Sequence, residues 1–176
     1  MSETLYQAFL DGDKEAFTEL VHRYREPLTH FILRFVGNYD TAEDLAADVF
    51  AEVLEKRNYR FASAFRSWLF SIARHKAIDH IRKHRREYPL EEAEHLCDPT
   101  PGPEDALLKT ERREAANAAL RELKDDRRMA LFLTAVEGMS YEEAAAVLHK
   151  TPRQIKNLCY RARQQLRQEV EQYENR

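Results

Sequence analysis

The stretch SYEEAAAVLHKTPRQIKNLCYRARQQL, Ser140 to Leu166, carries two helix starts separated by a single turn. Ser140 with Glu143 has the capping-box pattern and opens a helix over Tyr141 to Leu148. Thr151, Pro152 and Gln154 repeat that pattern with proline at the first helical position. About three residues between two helices suit a helix-turn-helix, whose second helix can lie in the major groove of DNA. Ala145 is small where the second helix must approach, and Ile155 and Leu158 face the shared core. The opposite face presents Arg153, Lys156, Asn157, Tyr160, Arg161 and Gln164. Arginine can bond guanine through two hydrogen bonds, and asparagine or glutamine can do the same to adenine. An amphipathic helix hairpin with no DNA role has the same periodicity, so the motif needs support from the rest of the chain.

Working outward, the 176 residues include only 4 Gly and 6 Pro against 34% charged and 43% hydrophobic residues. Few residues are available for tight hairpins, which argues against a β-sandwich or a doubly wound sheet. The expected fold is all-α: two small helical domains joined by an acidic, proline-rich linker, the second holding the helix-turn-helix. No apolar run approaches the roughly 20 residues a membrane helix requires, and no signal-like start is present. A cytoplasmic location without a membrane segment is expected. Cys97 and Cys159 lie far apart and outside any C-x-x-C pair, so neither a disulfide framework nor a cysteine zinc site is supported.

Residues 1–86 read as the first domain. Asp13 is a candidate N-cap before the stripe Ala16, Phe17, Leu20, Val21, Tyr24; Pro27 restarts the pattern, and Leu28, Phe31, Ile32, Phe35, Val36 run to Gly37, a natural helix stop. Thr41 with Asp44 resembles another capping box, opening a helix whose inner face is Leu45, Val49, Phe50, Val53 and Leu54. Its outer face stacks Asp44, Asp48 and Glu52 at i, i+4 and i+8, an arrangement that repels itself unless a basic partner covers it. Ala64 to Arg86 reads as a long helix with Leu69 and Ile72 in the core. Trp68, with Phe61, Phe65 and Phe70, lies beside Arg66 and Arg74, the mixture of planes and cations that suits single-stranded nucleic acid.

Charge alternates in blocks. Residues 40–55 are purely acidic, 56–86 strongly basic, 87–106 acidic again and 150–168 purely basic. Two basic surfaces separated by an acidic connector suggest two contacts with a polyanion. Residues 87–106, with Asp98-Pro-Thr-Pro-Gly-Pro103, form the linker, and 107–176 the second domain, resuming through Ala115, Ala119, Leu120 and Leu123, then Met129, Leu131, Phe132, Ala135 and Val136 up to Gly138.

The succession GDKEAFTELVHRY, DTAEDLAADVF, FRSWLFSIARHKAIDHIRKHRR and then ALRELKDDRRMALFLTAVEGMSYEEAAAVL with TPRQIKNLCYRARQQLR resembles the extracytoplasmic-function (ECF) sigma factors, which have sigma regions 2 and 4 only. The resemblance covers nearly the whole chain and implies an alternative sigma factor for promoter-specific transcription initiation, not an enzyme, with no cofactor or metal. It implies core RNA polymerase as partner, through the β′ clamp helices and the β flap, together with promoter DNA; an anti-sigma factor is a further candidate. By the family's pattern Asp44, Asp48 and Glu52 would contact polymerase. Phe65, Trp68, Ser71, Arg74, His75, Lys76 and Arg82 would serve the minus-10 element, and Arg153, Lys156, Asn157, Tyr160, Arg161 and Arg163 the minus-35 element. Departures fall at Ala47 (often Gln), Ser71 and His75 in the melting segment, His149 (commonly Gly) and Leu158 (commonly Arg).

Two other classes share part of this pattern. An ordinary operator-binding helix-turn-helix protein would need Ser140 to Leu166 but neither the Trp68 segment nor the acidic stripe. A metalloenzyme would draw on His75, His80 and His84, yet cations surround them and no H-E-x-x-H pattern is present.

Overall fold

A computed structural model describes residues 1–61, 63–84, 118–120 and 122–174. The expected linker (87–106) and the helical pattern from Leu107 through Ala115 lie outside the described residues, as does Cys97. The chain divides into two units, Met1–Asp98 and Pro99–Arg176.

The first unit packs four helices: α1 (Ser2–Leu10), α2 (Lys14–Val36), α3 (Tyr39–Lys56) and α4 (Phe65–His84). The Asp13 side chain caps α2 by accepting from the backbone N–H groups of Glu15 and Ala16. Gly37 ends it at φ +73, a left-handed conformation glycine adopts without a steric cost. Pro27 does not break this helix. Its missing N–H costs about 3 kcal/mol in a helix interior. The stripe nevertheless stays in phase across it, because Ala16, Leu20, Tyr24, Leu28, Phe31 and Ile32 are all buried, against α3 and α4 among others. Packing outweighs the break.

Helix α3 begins two residues before Thr41. Asn38 is the N-cap, its side-chain oxygen accepting from Thr41 N–H at 2.9 Å. The buried face is Ala42, Ala46, Val49, Phe50 and Val53; Leu45 is only half-buried and Leu54 is 47% exposed. Small alanines let α2 and α4 come close, turning the inner face away from the two leucines. Helix α1 carries no long apolar run, yet it supplies Tyr6 and Phe9 to the core. Glu3 from α1 also accepts the N–H of Phe65, the first residue of α4, at 2.9 Å. That bond holds the Glu3 carboxyl below its ordinary range.

In the second unit, α5 (Asp125–Leu131) runs into a π-helical turn, Phe132–Val136, followed by α6 (Tyr141–Leu148) and α7 (Pro152–Glu174). Glu137 N–H donates to the Phe132 carbonyl five residues back, at 3.1 Å. The wider turn rotates the face that an α-helical period predicts: Phe132 and Leu133 are buried, Leu131 is half-buried, and Ala135 and Val136 are exposed. Helices α5 and α6 pack on α7 around Ala144, Ala145, Leu148, Ile155, Cys159 and Ala162. Among the described residues there is no strand, and no helix is long and apolar enough to cross a membrane.

Candidate nucleic-acid interface

In the first unit the candidate surface is the outer side of α4 with the loop before it. Trp68, Ser71, His75, Asp79 and Arg82 recur three and four residues apart, so they share one face, half-buried at its start and exposed from His75 onward. Arg74 and Lys76 flank this face and are half-buried. The hydroxyl of Ser71 donates back to the Ser67 carbonyl at 2.8 Å, and Arg82 lies 3.7 Å from Asp79. The two form an exposed pair one turn apart.

Phe65 does not belong to this face. It is 1% exposed, at the centre of a ring cluster with Tyr6, Tyr24, Tyr59 and Trp68 at centroid distances of 5.2, 5.9, 5.3 and 5.6 Å. A ring so enclosed cannot stack on a base, and its assignment to the minus-10 set is corrected on that ground. Phe70 is buried as well. The loop offers a different plane. Phe61 is 45% exposed, sits 4.7 Å from the Tyr59 ring and has φ +56, an outlier for a bulky side chain. Its exposure and strain follow from loop geometry, which periodicity does not report. Burial of the Tyr6 and Tyr59 hydroxyls raises both phenol pKa values, so both rings stay neutral.

The acidic row on α3 is shorter than its spacing predicts. Asp44 and Asp48 are exposed and make no ion pair with a described residue. Glu52 accepts from Lys56 Nζ at 2.8 Å and pairs with Lys76 Nζ of α4 at 2.9 Å. Its charge is therefore met within the unit, and it leaves the free row. Lys76, expected on the DNA side, is held on the α3 side by the same bond.

The second unit reproduces both capping boxes. Ser140 Oγ accepts from Glu143 N–H while Glu143 accepts from Ser140 N–H, at 3.1 and 2.8 Å. Thr151 and Gln154 exchange the same pair of bonds at 3.2 and 2.8 Å. His149, in the turn, has φ +53 and ψ +46, the left-handed conformation that glycine adopts most easily. Ile155, Cys159 and Ala162 are buried, whereas Leu158 is only half-buried and lines a shallow cleft with Lys150, Gln154, Asn157 and Arg161. Arg153, Lys156, Asn157, Tyr160, Arg161, Arg163 and Gln164 are exposed. None of the four arginines and lysines within Arg153–Arg163 makes an ion pair with a described residue. Gln165 anchors the helix by accepting from Arg127 at 2.9 Å, and Lys150 pairs with Asp126 at 3.0 Å.

Residues 20–87 match the family described as Sigma-70 region 2, and residues 113–166 that described as Sigma-70, region 4. The RNA polymerase sigma-H factor of Pseudomonas aeruginosa is 33% identical over 164 residues, covering 87% of this chain and 85% of that protein. The chain belongs to the sigma-70 family. Within it, the chain is an ECF sigma factor, an RNA polymerase sigma factor of transcription initiation. The ECF RNA polymerase sigma-E factor of Haemophilus influenzae is 26% identical over 180 residues, covering 96% of this chain and 95% of that one. The crystallised sigma factor RpoE, in complex with the anti-sigma factor NepR from Bartonella quintana, superposes with a TM-score of 0.68 at 26% identity, covering 88% of this chain and 96% of that one.

The sigma factor's two surfaces differ in kind. Region 4 gathers all six expected minus-35 residues on the exposed side of α7. Region 2 gathers Trp68, Ser71, His75 and Arg82, with Arg74 and Lys76 at its margins and Phe65 inside. His80 and His84 stack at 4.0 Å, burial and the adjacent His84 and Lys83 charges lower the His80 pKa, and no cluster of three potential ligands occurs among the described residues.

Proposed function

We propose that this sigma factor acts by binding alone, with three surfaces in the cytoplasm: Asp44 and Asp48 of α3 dock core polymerase, the outer face of α4 with Phe61 takes the minus-10 strand, and α7 reads the minus-35 element. The observation that carries the reading is the exposed face of α7, which holds Arg153, Lys156, Asn157, Tyr160, Arg161 and Arg163 without an ion pair to a described residue, on a helix fixed at its start by the reciprocal Thr151–Gln154 capping box. Cations left uncompensated on one face suit phosphates, and an amide among them suits an adenine edge. By analogy with RpoE, crystallised with an anti-sigma factor, such a factor is a further partner.

Run-off transcription with core polymerase over a promoter library tests the division of labour. Asn157→Ala is expected to relax preference at one or two minus-35 positions by about 1–3 kcal/mol. Arg163→Ala is expected to weaken all promoters alike and flatten the salt dependence by about one unit of slope. Equal loss on every promoter for Asn157→Ala removes it from base readout.

A further inference from the structure

One carboxylate in region 2 gathers two ammonium groups from two helices. Lys56, in the last turn of α3, donates to Glu52 Oε1 at 2.8 Å, and Lys76, midway along α4, lies 2.9 Å from Oε2. These are the separations of charge-assisted hydrogen bonds. The two lysines hold the Glu52 carboxyl below its ordinary range, so it remains charged near neutrality. Two oxygens on one anionic centre, each meeting a cation, is also how the two non-bridging oxygens of a phosphodiester would be held. The trio is reachable: the Lys56, Lys76 and Glu52 side chains are 53%, 25% and 27% exposed. The Lys56 arm, about half exposed, is a surface pair of the kind that holds weakly and exchanges readily.

We propose that Lys56 and Lys76 form a backbone-phosphate site for a promoter strand at the seam of α3 and α4, with Glu52 as its built-in competitor. In the free chain the carboxylate occupies the site. On the promoter a phosphodiester replaces it, and Glu52 turns toward solvent on the helix that carries Asp44 and Asp48 at i−8 and i−4. A basic polymerase surface against that row would favour the exchange, linking polymerase binding to strand binding through one side chain. The inference rests on α4 facing promoter DNA.

Binding of a labelled single-stranded minus-10 oligonucleotide, measured by anisotropy over a salt series with the full chain and with holoenzyme, tests it. Glu52→Gln is expected to tighten binding by the free chain about two- to fivefold. It should also steepen the dependence of log K on log salt by about 0.7 for each phosphate gained. In a Lys56→Ala/Lys76→Ala background, Glu52→Gln should add nothing. Unchanged or weaker binding by Glu52→Gln overturns the proposal, as does an equal gain in that background, which would reflect net charge alone. If circular dichroism shows Glu52→Gln unfolded, the double alanine variant in holoenzyme decides: an unaltered salt slope rejects the site. Arg82→Ala separates the two levels. A flattened slope for Arg82→Ala but not for the lysine pair rejects only the Lys56–Lys76 site, whereas no change in either rejects the α4 surface as well.

Discussion

Phe65→Ala and Trp68→Ala sit one helical turn apart and should fail in different ways. Phe65 is 1% exposed and touches four rings at centroid distances of 5.2 to 5.9 Å. Removing a buried phenylalanine costs about 3–5 kcal/mol, and each aromatic pair contributes about 0.5–1.5 kcal/mol beyond burial, so the upper end of that range applies. A unit of this size is stable by only about 4–12 kcal/mol. Phe65→Ala should therefore remove a third or more of region 2's stability. Trp68 is half-buried against Tyr6, Tyr59 and Phe65, so its truncation should cost about half as much while removing a plane from the promoter face. The chain has a single tryptophan, so its fluorescence reports on region 2 alone. Urea unfolding of Phe65→Ala by tryptophan emission should show a lowered midpoint and a red-shifted native spectrum. Trp68→Ala, followed by circular dichroism, should stay folded yet impair opening of duplex promoters far more than of templates with a pre-melted minus-10 region. The reasoning fails if Phe65→Ala keeps its stability within about 1 kcal/mol and loses only strand opening, because the ring would then have to reach DNA.

Three further outcomes are expected. Asp44→Lys/Asp48→Lys should compete poorly for core polymerase while helicity stays unchanged; equal competition would remove α3 from the interface. His149→Gly relieves a left-handed residue worth about 1–2 kcal/mol, offset by about 0.5–1 kcal/mol of added unfolded-state entropy. The region 4 melting midpoint should rise by a few degrees, and a fall would show that the His149 side chain outweighs its backbone strain. Glu3→Gln should cost about 0.5–1 kcal/mol at pH 7, at the low end for a capping bond because the carboxylate is 41% exposed. Its folded pKa lies below the ordinary value of 4.5, so its contribution is present above that pH and is lost as pH falls through the folded value. The urea midpoints of wild type and Glu3→Gln should converge once the pH has fallen through the folded value; a gap that persists in acid assigns the difference to something other than the charge.

Features written in adjacent residues were legible in the sequence. Asp13, Gly37, Ser140–Glu143 and Thr151–Gln154 act where their spacing places them, because a cap is a bond between neighbours. What escaped depends on partners distant in sequence. Pro27 stays helical through packing from α3 and α4, and α1 matters through Tyr6, whose ring meets Tyr59, Phe61, Phe65 and Trp68, all more than fifty residues away. The Phe132–Val136 turn defeats any fixed period, since one wider turn rotates every later side chain. Leu54 read as core because it is apolar, and the structure exposes it because alanines form the actual contact.

The same distinction explains why the exposed face of α7 follows the sequence spacing more closely than the outer face of α4 does. An exposed face on one helix is a matter of spacing, and Arg153 to Arg163 need no distant residue to define it. In region 2 charge is redistributed between helices: Glu52 takes Lys56 and Lys76, Asp79 lies beside Arg82, and Arg25 pairs with Glu43. The block of residues 56–86 is strongly basic by composition, yet among the described residues Lys56 and Lys76 meet Glu52 and Arg82 has a carboxylate beside it. Counterion release scales with the cations that meet phosphate, not with those in the sequence. The salt sensitivity of promoter binding should therefore reside in α7 and, once Glu52 is displaced, in Lys56 and Lys76, while Trp68, Ser71 and His75 of α4 contribute contacts that depend on the shape and stacking of an opened strand and persist when salt is raised.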